Sequence, residues 1–426
     1  MNEWRTISLI DSTALAVIIC IAALTLIVAL LGVFSAHSRK RTLWSLLLSI
    51  VFTGGVWLFI EKLWKPFPDA NPWTIYAAGG IAVFSLLSIF FRQGRTKVVM
   101  LVLTVIALLN TALVVNMIYQ PYPTVGSFNA APTTVPMTYA DFQAQKTAPT
   151  LDNREVRALV QVPMAGTTDN SVSDFNARDA YAYIPPAYWN NPNSQLPVLV
   201  LLPGNPGQPD QWFSSGNAGQ IADDFQATHD GISPIVISVD GTGSFSGNPA
   251  CVDSDAQLVM SYLSQDVPML IKEKFRVNPD QRAWTIGGLS YGGTCALQIM
   301  TNHPESYGSF LNFSGQEEPT LGKHQDTVNQ LFGGDEEAFK AVNPEDLLNQ
   351  AIDSKATTFS GIAGKFIAGG SDKNAVRALT HLNDLSNQAG MSTTFDTVTG
   401  GHSFQVWRVA LANTFDWVAQ RGGLPV

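Results

Sequence analysis

The sequence predicts an α/β domain, a mostly parallel sheet flanked by helices, preceded by a four-helix transmembrane region. Three observations predict it. Four long apolar stretches fill residues 12–118. Short apolar runs then alternate with helical patterns through the rest of the chain. A glycine-flanked serine sits where one such run gives way to a helical pattern.

The apolar stretches cover residues 12–36, 43–60, 73–91 and 98–119. Each approaches or exceeds the ~20 residues needed to cross ~30 Å of hydrocarbon as a helix. Charged residues make up 14% of the chain, against about 25% in an average soluble protein, and the shortage lies in this first quarter. The first stretch is too long for the ~7–15-residue core of a signal peptide. It follows Glu3, Arg5 and Asp11, and another apolar stretch comes next.

The loops predict an orientation. Arg39, Lys40 and Arg41 lie between the first and second stretches, and Arg92, Arg95 and Lys97 between the third and fourth. The middle loop mixes Lys62 and Lys65 with Glu61 and Asp69, and no Lys or Arg follows the fourth stretch until Lys146. The positive-inside rule puts the first and third loops in the cytoplasm and both chain ends outside. Trp44, Trp64 and Trp73 stand near stretch ends, where interfacial aromatics are expected. No charge falls at the centre of a stretch, so a transport path is not indicated.

Residues 120–149 are rich in Pro, Thr, Ala and Gln without periodicity, and read as a linker. The expected organisation is a membrane region at 1–119, a linker at 120–149 and an extracytoplasmic catalytic domain at 150–426. Strands are expected at 156–162, 179–184, 197–202, 234–239, 283–286, 310–313, 365–368 and 394–398. The continuous apolar runs at 197–202 and 234–239 suit strands buried on both faces. Helices are expected at 258–275, 294–302, 375–389 and 404–420.

Net charge is −9 with no basic cluster after the membrane region, which argues against nucleic acid as a partner. The three cysteines, Cys20, Cys251 and Cys295, form no C-x-x-C pair, so no zinc site is expected. Cys251 and Cys295 either pair in an oxidising compartment or stay as buried thiols.

Gly288-Leu289-Ser290-Tyr291-Gly292 fits G-x-S-x-G between a strand-like run and a helical pattern. A strand–turn–helix corner strains the serine and projects its hydroxyl at a helix head, where free N–H groups favour developing negative charge. Ser290 is therefore the expected nucleophile. Serine needs a base. Of six histidines, His402 alone follows the last expected strand, after Gly400-Gly401, and precedes the last helix. His37, His229, His303, His324 and His381 fall in loops, at a helix end or on a helix surface. The acid comes between serine and histidine in chain order. Asp372, after the run ending at Ala368 and the turn Gly369-Gly370-Ser371, is preferred over Asp396, Asp353 and Asp346. Two backbone N–H groups are expected to form an oxyanion hole. One is that of Tyr291. The other comes from Pro203-Gly204-Asn205-Pro206-Gly207, where the prolines have no N–H; Asn205 is preferred and Gly204 is second.

These residues resemble the putative-esterase branch of the α/β-hydrolases, which includes the antigen 85 mycolyltransferases. The resemblance spans about residues 197–417. It rests on Gly247-Asn248-Pro249-Ala250-Cys251, on 262–268, on 286–293, and on Gly401-His402-Ser403-Phe404-Gln405-Val406-Trp407. It implies an α/β-hydrolase fold and a Ser-acid-His triad acting through an acyl-enzyme, with no metal or organic cofactor. Two departures stand out. The mycolyltransferases carry Asp-Gly-Leu-Arg at the oxyanion loop, with Asp and Arg contacting trehalose, where this chain has Pro203, Gly204, Asn205 and Pro206. They also use Glu as acid where this chain offers Asp372. The expectation is ester hydrolysis on envelope lipids, either aminoacylated phospholipid or acylated glycolipid. An acyltransferase and a non-catalytic envelope interaction protein are the alternatives.

Overall fold

The computed structural model describes residues 4, 7–35, 38–64, 70–90, 92, 94–120, 122–129 and 134–426. It divides into two compact units, 1–130 and 131–426. The loop residues Lys65 and Asp69, the flanking Glu3 and Arg5, and His37 lie outside the described residues.

The first unit contains four helices: α1 Ser12–Leu30, α2 Arg39–Leu58, α3 Trp73–Phe90 and α4 Arg95–Tyr119. Counting the turns continuous with α1 and α2, each is long and apolar enough to cross a membrane. The second runs past its expected end through a π-turn at Phe59–Trp64. Side-chain placement is the reverse of a water-soluble bundle. Ser45, Ser49, Ala78, Ala82, Ser85, Ser88, Thr104 and Ala107 are buried, whereas Ile27, Ile50, Phe52, Leu101 and Leu109 are exposed. Small residues let helix backbones approach closely where no hydrophobic effect drives association, as in lipid.

The second unit is built on a nine-stranded sheet. Its strands are β1 Thr134–Thr138, β2 Arg157–Val162, β3 Ala180–Ile184, β4 Val198–Leu202, β5 Ile235–Ser238, β6 Thr285–Leu289, β7 Ser309–Phe313, β8 Ala363–Gly369 and β9 Ser392–Val398. Their spatial order is β1-β2-β3-β5-β4-β6-β7-β8-β9. β3 runs antiparallel to both neighbours, and every other pairing is parallel. The apolar runs work as a period of two dictates. Val198, Val200 and Leu202 join one core, with Leu263, Ile271, Ile299 and Leu379. Leu199 and Leu201 join the other, with Phe225, Leu411 and Phe415. Full burial of each such side chain contributes about 1.5–3 kcal/mol.

Two expectations are corrected. The stretch read as a linker is partly structured: β1 extends the sheet, and a helix, α5 at Tyr139–Ala144, follows it. Thr138 and Asp141 form a reciprocal capping box on α5, and Phe142 is buried against Tyr188, Trp189 and Phe275. The helix expected at 258–275 is interrupted by a π-turn at Tyr262–Asp266. There the buried Asp266 carboxylate accepts the backbone N–H groups of Val172 and Ser173.

Cys251 and Cys295 are joined by a disulfide across a separation of 44 residues, and Cys20 is free. Alkylation without reduction should therefore modify Cys20 alone, and reduction should expose the other two. Replacing both Cys251 and Cys295 by Ser should cost about 2–4 kcal/mol of stability. Equal labelling of all three cysteines in unreduced protein, read by mass spectrometry, would refute the pairing.

Candidate active site

β6 ends at Leu289, and the next helix, α6 Tyr291–Asn302, begins at once. Ser290 makes the corner with φ 52° and ψ −117°, a conformation an L-residue adopts at a cost. Its N–H donates to the Phe313 carbonyl at 2.7 Å. The flanking glycines are explained by space. A Cβ on Gly292 would lie 2.3 Å from the Leu202 carbonyl oxygen, and one on Gly288 would lie 2.4 Å from the Gly292 carbonyl carbon.

β8 delivers the acid. Asp372 caps the helix Lys373–Gln388, hereafter α7, and divides its oxygens between two tasks. Oδ1 accepts the Ala375 N–H at 3.2 Å, and Oδ2 lies 2.6 Å from His402 Nδ1. His402 stands between β9 and the last helix, α8 Phe404–Arg421. Its Nε2 lies 2.9 Å from Ser290 Oγ. With Nδ1 donating to the carboxylate, neutral His402 turns the Nε2 lone pair toward the serine hydroxyl.

The two loops are tied together by backbone. The N–H of Gly370 donates to the Val398 carbonyl at 2.8 Å, and that of Ser371 to the Gly400 carbonyl at 2.9 Å. A Cβ on Gly369 would sit 2.4 Å from the Gly401 oxygen, so a side chain there would force the loops apart. Trp407 meets the His402 ring edge-on, with centroids 5.1 Å apart. Burial pushes the Asp372 carboxyl up. The His402 hydrogen bond and charge and the Ala375 N–H outweigh it, holding the carboxyl below its ordinary value.

The loop at 203–207 follows β4, and two of its three backbone N–H groups are engaged. Pro203 and Pro206 have no N–H. The Gly204 N–H donates to Gln211 Oε1 at 2.9 Å, and the Gly207 N–H to the Phe245 carbonyl at 2.9 Å. That leaves Asn205, whose N–H has no partner among the described residues; the same is true of Tyr291 at the head of α6. The Asn205 side chain turns away and donates from Nδ2 to the Gly247 carbonyl at 2.8 Å. Gly204, the second choice from sequence, is therefore occupied.

The remaining candidates are not brought to Ser290. His229 stacks on Phe225, and His303 lies beside Glu305. His324, expected in a loop, opens the helix His324–Leu331 and sits between Glu318 and Glu336. Asp396 is exposed on the edge strand β9, Asp353 is exposed in the helix Pro344–Ser354, and Asp346 accepts from the Asn343 side chain.

Sequence reasoning missed Gln211 and Arg178. Arg178 pairs with buried Asp240 and donates to the Gly207 carbonyl at 3.2 Å, bracing the same loop. Neither belongs to a recognisable motif. Beside the loop, a cavity of about 1200 Å³ is lined by Phe175, Thr242, Gly247, Asn248, Leu258 and Phe332, among others. Among the described residues, the group able to offer a metal ligands is Glu317, Glu345 and His381, half-buried, with His381 Nε2 already 3.1 Å from Glu345.

The sheet order, the serine corner and the late histidine define an α/β-hydrolase. Residues 176–418 match the family described as Putative esterase. The chain is also 78% identical, over the whole length of both, to an uncharacterized protein of Corynebacterium glutamicum. It belongs to that esterase family. Among solved structures, a ferulic acid esterase superposes with a TM-score of 0.50 at 17% identity, covering 62% of this chain and 97% of that one. An S-formylglutathione hydrolase from Agrobacterium tumefaciens gives 0.48 at 17%, covering 62% and 94%.

Because the Asp372 carboxyl is depressed in the folded state, it adds stability that is fully present above its unfolded pKa. That stability is lost as pH falls through the folded value. Asp372→Asn should therefore flatten the acid limb of melting temperature against pH, from about pH 4 downward. Parallel curves for the two proteins would show that the carboxylate is not held by His402.

Proposed function

We propose that this protein is a membrane-anchored serine esterase, with its catalytic domain outside the cytoplasm, that hydrolyses carboxylic esters of envelope lipids. The observation that carries the reading is the hydrogen-bonded line Asp372–His402–Ser290, at 2.6 and 2.9 Å, ending on a serine at a strained corner. Ser290 Oγ attacks the ester carbonyl while His402 Nε2 takes its proton. Asp372 stabilises the imidazolium. The N–H groups of Asn205 and Tyr291 receive the oxyanion. The alcohol leaves with the proton from His402, and water, deprotonated in turn by His402, releases the acid.

Water is the acceptor in this reading. Where the resembling transferases place sugar-contacting side chains, this chain has Pro203 and Pro206, and the Gly204 and Gly207 N–H groups are already taken by Gln211 and Phe245. The four apolar helices favour an ester presented by a membrane, such as an aminoacylated phospholipid or an acylated glycolipid. The basic loops at 39–41 and 92–97 favour an exterior C-terminal domain. The Cys251–Cys295 pair suits an oxidising compartment.

Ser290→Ala and His402→Ala should each abolish most cleavage of a short acyl ester and labelling by a fluorophosphonate probe. The double variant should be little worse than either, because the two act as one unit. Asp372→Asn should cost on the order of 10⁴-fold, whereas Asp396→Asn should be near wild type. Trehalose added to the same assay should yield no acyl-trehalose. Full activity in Ser290→Ala would remove Ser290 as the nucleophile, a wild-type protein that neither cleaves nor labels would leave only a binding role, and the reverse ranking of the two aspartates would move the acid to Asp396.

The orientation has its own test. A reporter active only outside the membrane, fused after Val426, should be active. Activity from a cytoplasmic reporter alone would invert the topology.

A further inference from the structure

Oxyanion holes work by preorganisation: the donor must be aimed before charge develops. A loop of two prolines and two glycines does not aim an N–H by itself. The ends of this one are fixed. Trp212 Nε1 donates to the Leu202 carbonyl at 2.9 Å, and Arg178 and the Phe245 carbonyl hold Gly207. Between those ends, one side chain reaches both sides of Asn205. Gln211 Oε1 accepts the Gly204 N–H at 2.9 Å, and Gln211 Nε2 points to the Pro206 carbonyl at 3.5 Å. Gln211 comes from the short helix Gln211–Ser214, packed beneath the loop by the fully buried Trp212. The fit is close: a Cβ on Gly207 would lie 2.7 Å from Gln211 Oε1.

We propose that Gln211 is a positioning residue for the oxyanion hole: by binding the Gly204 N–H it fixes the loop so that, of the loop's N–H groups, that of Asn205 alone faces the reacting carbonyl, beside that of Tyr291. Without it, the Gly204 N–H would be unpaired beside the site, and the Pro203–Gly204 peptide, which precedes the one that bears the Asn205 N–H, would lose its hold. Gln211 touches neither substrate nor Ser290. Its effect is on the transition state, because the loop matters most when the carbonyl oxygen becomes an anion. The inference rests on Ser290 being the nucleophile.

The test is steady-state ester hydrolysis by the full-length protein in detergent, with thermal melts alongside. Gln211→Leu keeps size and removes the acceptor. Gln211→Glu keeps a carboxylate oxygen for the Gly204 N–H. Losing one oxyanion donor costs about 10²–10³ in kcat; misaiming one through Gln211→Leu should cost about 10–100-fold in kcat, with KM within about twofold. Gln211→Glu should recover most of the rate. Wild-type kcat in Gln211→Leu would overturn the proposal, as would equal loss in Leu and Glu variants. A matching rise in KM, or a collapsed melt in both Gln211→Leu and Gln211→Met, would make Gln211 a residue of the fold and overturn it too. Ser290→Ala is run beside them: activity there sinks the Ser290 mechanism on which the inference rests, whereas an inactive Ser290→Ala with normal Gln211→Leu sinks only the role of Gln211.

Discussion

The catalytic domain is organised around the closeness of α6 to the end of β4. Gly292 lies so near the Leu202 and Pro203 carbonyls that no side chain fits between them. That approach lets β6 turn abruptly into α6, and the turn leaves Ser290 in backbone strain of about 1–3 kcal/mol. The strain is sustained because neighbours over-determine it. The Ser290 N–H is held by β7 through Phe313, and Gly293 is pressed against Asn312 and Phe313. One corner thereby joins three strands. The loop at 203–207 is the continuation of β4, whose Leu202 is in register with Gly288 of β6. The serine and the Asn205 N–H are therefore set relative to each other by sheet pairing, before any side chain is considered.

Asp372 and His402 are set by the same means further along the sheet. Gly369 and Val398 are register partners at the ends of β8 and β9, and the two turns exchange backbone hydrogen bonds immediately beyond. Asp372 is locked further by capping α7, so its carboxylate cannot rotate away from His402 without losing the Ala375 N–H. Trp407 closes one side of the imidazole from α8.

Where a residue's role follows from its own neighbours in sequence, it was legible. The inner strands read as unbroken apolar runs because both their faces are buried. Ser290, His402 and Asp372 each follow a strand and precede a helix, so local pattern marks all three positions. β1 was not legible: it is an edge strand of Thr, Val, Pro and Met, half-exposed, with too little burial to impose alternation. The π-turn at Tyr262–Asp266 depends on Val172 and Ser173, about 90 residues away, and the cysteine pair is likewise non-local. Gln211 was invisible for the opposite reason. It lies only six residues from Asn205, but its function is a side-chain-to-backbone bond inside an irregular loop, which no periodicity reports.

The two units also differ in charge, and this bears on what the helices contribute. Residues 1–130 carry 9 Lys and Arg against 4 Asp and Glu, whereas residues 131–426 carry 16 against 30. An acidic domain of this kind, free in solution, is repelled by an anionic lipid surface over roughly a Debye length, about 8–10 Å at physiological salt. Its encounters with lipid esters would be suppressed by its own field. If the helical unit anchors the protein as proposed, covalent attachment to it removes the encounter step, because the substrate is then met at the effective concentration of a tethered pair. Under the proposed topology the anchor does more than retain the enzyme: it offsets a repulsion that the acidity of the soluble domain, useful for keeping it from aggregating, otherwise imposes.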